Sequence, residues 1–181
     1  MTPDTRIRAQ NDREIDPGGS YVLYWMIAAR RTRFNFGLQR AVEAANALDK
    51  PLMILEALRV DYPHASDRLH TFVIQGMQAN ERACAGSAAR YVPYVEPSPG
   101  DGRGLFDALA ARASLVVTDW YPAFVLPRMV AAAARRSPVR LEAVDSNGLI
   151  PVAMHGRAFP TARGYRGFMQ RNLREHLTEF P

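Results

Sequence analysis

The feature that most restricts how this chain can fold is a repeated unit: a short apolar run of strand length followed by an apolar stripe at helical spacing. The clearest example spans Tyr21 to Leu38, YVLYWMIAARRTRFNFGL. Tyr21 to Met26 suits a strand covered on both faces, because Tyr, Val, Leu and Trp fit a pleated, buried surface. An irregular, arginine-rich segment follows. From Asn35, a suitable N-cap, Leu38, Ala41, Val42, Ala45 and Leu48 recur at helical spacing until Asp49-Lys50-Pro51 stops them.

The unit recurs along the chain. Pro51 to Leu58 is a second strand, and Ser66 or Asp67 caps a helix carrying Leu69, Phe72, Val73, Met77 and Cys84. Tyr91 to Val95 is a third strand, and Pro93 within it argues for a sheet edge. Ser114 to Thr118 and Val139 to Val144 supply the fourth and fifth, with Pro127 in the first turn of the helix between them. Strands alternating with helices predict an α/β fold, an open five-stranded parallel sheet of Rossmann-like type with helices on both faces. Strand orders 3-2-1-4-5 and 2-1-3-4-5 both fit, and the edge-like Pro93 favours 3-2-1-4-5.

Flanking this unit series, Met1 to Ser20 carries seven charged side chains and ends in Asp-Pro-Gly-Gly, which predicts a disordered arm (1–20). Residues 21–160 form the α/β domain. The terminal segment, 161–181, holds a helix from Thr161 to Leu177 with Tyr165, Phe168, Met169, Leu173 and Leu177 on one face and four arginines over the rest. Such a helix can pack on its own domain or dock something else.

In an open α/β sheet ligands bind beyond the carboxyl ends of the strands, where the strand order reverses. That rule predicts a cleft lined by Met26, Ile27, Ala28 and on to Arg30 after the first strand, and by Asp119, Trp120 and Tyr121 after the fourth. Glu56 lies nearby, either emerging into solvent or facing the cleft. Gly100, Gly102 and Gly104 lack the Lys-Ser/Thr of a phosphate loop, so they read as a flexible connection. The chain has no G-x-S-x-G, H-E-x-x-H, Cys-x-x-Cys or post-strand G-x-G-x-x-G, and its four histidines are scattered. No catalytic or metal-ligating residue is therefore assigned, and a cleft without an acid-base pair suggests binding rather than turnover.

Cys84 is the only cysteine, which excludes an internal disulfide. No apolar run approaches the roughly 20 residues that span a bilayer, and the first 20 residues lack a signal-peptide core, so a cytoplasmic location and no membrane partner are expected. The net charge of +5 favours an anionic partner, although arginine usage throughout the chain can reflect genome composition alone.

The segment YWMIAARRTRFNFGL resembles the opening of DNA photolyases, in which a first strand ending in Trp leads to arginines and an Asn-x-x-Leu helix start; here these are Trp25, Arg30, Arg31, Arg33, Asn35 and Leu38. The residues flanking Trp25, with VDSNGLIP from Val144 to Pro151, look closest to the class II branch. LHTFVIQGM and AFPTARGYRGFM extend the resemblance over about Tyr21 to Pro181. It implies the amino-terminal antenna-type domain of a light-driven cyclobutane pyrimidine dimer repair enzyme. In such a protein FAD and the DNA lesion are held by a carboxyl-terminal helical domain, for which the Thr161–Leu177 helix is the expected docking element. The resemblance also implies a deazaflavin or folate antenna in this domain, with Asp119 at the position of the acidic residue found in deazaflavin binders. Phe34, Ala28 and Ala29 depart from the family's polar pattern. Two other readings fit the same architecture: a standalone nucleotide-binding α/β module, and a ligand-free interaction domain.

Overall fold

The computed structural model describes residues 1–156 and 158–181. Six strands form one sheet: β1 (Ile7–Ala9), β2 (Tyr21–Met26), β3 (Leu52–Leu58), β4 (Arg90–Val95), β5 (Ala113–Trp120) and β6 (Leu141–Asp145). Among the described residues five α-helices accompany them: α1 (Phe36–Leu48), α2 (Asp67–Cys84), α3 (Leu105–Ala110), α4 (Leu126–Arg136) and α5 (Ala162–His176). The sheet order is β1-β6-β5-β2-β3-β4. All pairings are parallel except β1 with β6, which is antiparallel.

The expected sheet of five parallel strands is thus corrected to a mixed sheet of six. The extra strand comes from the arm predicted to be disordered. Apolar content was the wrong measure for this segment, because it is held largely by backbone hydrogen bonds. Gln10 N–H donates to the Leu141 carbonyl, Asp16 N–H to Ser114 and Ser20 N–H to Arg112. Gly19 lies so close to β5 that a Cβ there would stand 2.4 Å from the Ser114 nitrogen, a contact only glycine avoids. Arg6 completes the attachment. It is fully buried over the Phe36 ring, 4.2 Å from its centroid, and donates to the Asp145 and Leu149 carbonyls.

Every residue of β2 is buried, and the strand's alternation divides the core in two. Leu23, Trp25 and Ile27 face α3 and α4, packing with Phe106, Val130 and Ala133. Val22, Tyr24 and Met26 face α1, packing with Phe36, Ala41 and Ala45. α1 begins where the Asn35 side chain accepts from Leu38 N–H at 3.0 Å, and it ends at Asp49 in the left-handed region. Ser66, rather than Asp67, caps α2. β4, which contains Pro93, forms one edge of the sheet. Thr161 caps α5, whose Phe168 ring packs against His155 and Phe159 at centroid distances of 5.7 and 5.3 Å.

Candidate functional site

The carboxyl ends of the strands carry a row of buried carboxylates, and each is occupied by the backbone or side chains of the same molecule. Asp119, near the end of β5, is 1% exposed. One of its oxygens accepts from three successive amides, Ile27, Ala28 and Ala29, at 2.9, 2.7 and 2.9 Å. The other accepts from the Tyr24 hydroxyl at 2.6 Å. This is an anion nest closed by the protein's own side chain. Burial pushes the Asp119 carboxyl above the ordinary aspartate range, and the four donors oppose that rise. Gly37 permits the arrangement, since a Cβ there would lie 3.0 Å from the Asp119 oxygen and 3.1 Å from the Tyr24 ring.

Glu56, 1% exposed, is similarly engaged. It accepts from Tyr91 hydroxyl at 2.6 Å, Asn80 amide at 2.8 Å and Arg30 guanidinium at 3.2 Å. Burial, with the neighbouring Glu56, pushes the Tyr91 phenol well up, so it remains a donor at neutral pH. Glu96 accepts from the amides of Val60, Gly100 and Gly102, which hold its carboxyl below the usual glutamate range. The glycine-rich loop is therefore tied down by Glu96. Asp145 accepts from Val152 N–H at 2.6 Å and from Asn147 N–H at 2.8 Å.

Two of the spaces at this end of the sheet are lined by residues of the predicted site. The first lies at the junction of β2 and β5, lined by Ala28, Trp120, Tyr121 and Asn147, and measures only about 160 Å³. The second is an apolar cleft over the α3/α4 face, in two adjoining lobes of about 500 and 360 Å³. Trp25, Leu58 and Ala57 form one wall shared by both lobes, Phe106 and Met129 the other, and Arg59 sits at the rim. The rings of Trp25 and Phe106 stand 4.7 Å apart. Ligand cavities usually measure roughly 300–1,000 Å³ and are mainly apolar. Of these two, the second fits that description.

The predicted site residues divide between these places. Ile27 lines the apolar cleft. Ala28, Trp120 and Tyr121 border the small pocket, with Trp120 lying under the Arg8 guanidinium at 4.4 Å. Met26 and Glu56 are paired across β2 and β3 on the opposite face, where the Asn80 amide reaches both. Asp119 presents its oxygens inward to the β2–α1 loop. The cleft residues Trp25, Ala57, Phe106 and Met129 were absent from the sequence-based site. A signal for two of them was available: period-two alternation places Trp25 with Ile27 on one face of β2 and Leu55 with Ala57 on the matching face of β3. Among the described residues, no group of histidine, cysteine, aspartate and glutamate could hold a metal ion, and no helix is long and apolar enough to cross a membrane.

No protein-family model matches the chain. It is, however, 31% identical over 175 residues to a deoxyribodipyrimidine photo-lyase of Methanothermobacter thermautotrophicus, covering 97% of this chain and 38% of that protein. A protein of the same name from Oryza sativa subsp. japonica is 30% identical over 187 residues, covering 98% of this chain and 36% of its own length. Another from Arabidopsis thaliana is 25% identical, covering 88% of this chain and 32% of its own. The chain thus spans about a third of the length of these curated relatives, and the photolyase resemblance carried by its residues is borne out.

Proposed function

We propose, with that similarity over nearly the whole chain as the premise, that this is the amino-terminal α/β domain of a DNA photolyase, a protein that repairs cyclobutane pyrimidine dimers with light. FAD, the lesion and the electron-transfer chemistry belong in this reading to a carboxyl-terminal domain, which docks through the helix α5. No residue of this chain is assigned to the chemical step.

The role left to this domain is to hold an antenna chromophore, a deazaflavin or a folate, that absorbs light and passes the excitation to FAD. The apolar cleft supports this reading. It has the volume for a flat heterocycle and an aromatic wall in Trp25 and Phe106, with the exposed Arg59, paired to Asp61, at its rim. The space beside Asp119 is too small, and its carboxylate is already satisfied. Ile27 is therefore the residue of the predicted site that would touch the chromophore, together with Trp25, Ala57, Phe106 and Met129. These residues bind and orient the ring and keep water from it.

The test is titration of the chain with a deazaflavin, a folate and ATP, reading melting temperature and tryptophan fluorescence. A bound chromophore at 100 times its dissociation constant adds about 2.7 kcal/mol, a rise of roughly 5–10 °C for a domain of this size. Ala57→Trp, which fills the cleft, should abolish the rise while leaving the fold intact. Stabilisation by ATP alone would instead establish a nucleotide-binding module. A response retained by Ala57→Trp would place the ligand elsewhere.

A further inference from the structure

We infer that the outer face of α5 binds the phosphodiester backbone of duplex DNA, independently of sequence and of damage. Arg163, Arg166, Gln170 and Arg174 follow at intervals of three, four and four residues, which sets them in one row along the helix. All four are exposed, as is the adjacent Arg171. Among the described residues, none of these arginines forms an ion pair with a carboxylate. Glu175 is the only acidic residue in the helix.

Two further observations point outward. The first turn holds no acidic residue, and Arg163 is placed there against the helix dipole, an arrangement that an anion lying over it would relieve. A shallow groove of about 540 Å³ covers the first part of the row, formed by Ala162, Arg163, Arg166, Gly167 and Gln170. The Arg171 guanidinium lies over Gly167, which adds a further positive charge beside the groove. An anionic bilayer is the weaker match, because a membrane-surface helix needs a free apolar side. Here Phe168 packs on His155 and Phe159, and the exposed remainder of that side, Tyr165 and Leu177, is taken in the photolyase reading by the docked carboxyl-terminal domain.

The inference deepens the photolyase reading, in which DNA is the substrate, yet it rests on the charge and shape of α5. Binding of an undamaged fluorescent duplex to the chain, followed by anisotropy between about 50 and 200 mM salt, tests it. Arg163→Ala/Arg166→Ala/Arg174→Ala should weaken binding at least tenfold at the lower salt and reduce the slope of log K against log salt by about 3. The lysine triple variant should keep most of the affinity, since point charge suffices for phosphate. Arg68→Ala/Arg82→Ala/Arg90→Ala removes equal charge from exposed positions elsewhere and should have little effect. Absence of duplex binding at low salt, equal losses in the two alanine variants, or tighter binding to anionic vesicles would each overturn the inference. The chromophore titration is read separately, so such a result leaves the photolyase assignment standing.

Discussion

Replacing Asp119 separates a ligand-facing carboxylate from one that holds the backbone. In Asp119→Ala the amides of Ile27, Ala28 and Ala29 lose their acceptor at once, while the Tyr24 hydroxyl keeps the Asn35 side chain as a partner. An unsatisfied buried donor costs about 1–3 kcal/mol. Ile27 and Ala29 are buried and Ala28 is half-buried, so the loss totals roughly 4–7 kcal/mol. That is a large share of the 5–15 kcal/mol typical of a domain. Asp119→Asn keeps one oxygen for the three amides and turns its amide group toward the Tyr24 oxygen. It loses charge assistance but also the cost of burying a charge, leaving a net loss of no more than about 2 kcal/mol. Urea unfolding followed by circular dichroism measures both variants. Burial raises the Asp119 carboxyl, so the folded state holds its proton more readily than the unfolded chain. The stability this supplies is present below the unfolded aspartate value of about 3.9 and is lost as pH rises through the folded value. The wild type should therefore gain on Asp119→Asn as pH falls. An alanine variant less than about 1 kcal/mol below wild type, or an asparagine variant as damaged as alanine, would refute the argument.

Arg6→Ala should free the amino-terminal arm and the carboxyl-terminal segment together, because Arg6 bonds the Asp145 and Leu149 carbonyls and lies 3.7 Å from Glu179. A loss of about 2–3 kcal/mol, the range for charge-assisted hydrogen bonds, with new proteolytic cleavage before Tyr21, is the expected outcome; unchanged melting and cleavage would contradict it. Glu96 behaves oppositely to Asp119 with pH. The amides of Val60, Gly102 and Gly100 hold its pKa below the ordinary value, so its contribution is present above the unfolded glutamate value of about 4.3 and lost as pH falls through the lowered folded one. Amide chemical shifts of Gly100 and Gly102 should move together in that acid window, and Glu96→Gln should remove the shared transition.

The parallel α/β core was legible because it is written in local periodicity: five apolar runs, helical stripes between them, Asn35 placed as a cap, and Ser66 or Asp67 offered for the next helix. Pro93 marked an edge strand for the same local reason, having no amide to donate. The arm was misread because its order comes from pairing with residues more than 100 positions away, which leaves no mark on its own composition. Motif order carried the family, through the short segments around Trp25, Val144 and Ala158. What only the tertiary structure decided was the direction in which each functional candidate points. A residue at the end of a strand can face the cleft, the loop beneath it or the opposite layer. Asp119 was drawn inward by three free amides, and Glu56 by Asn80 and Tyr91 from elements distant in sequence. The cleft then fell to Trp25, Ala57, Phe106 and Met129, apolar side chains whose chemistry announces nothing until two helices leave a gap above them.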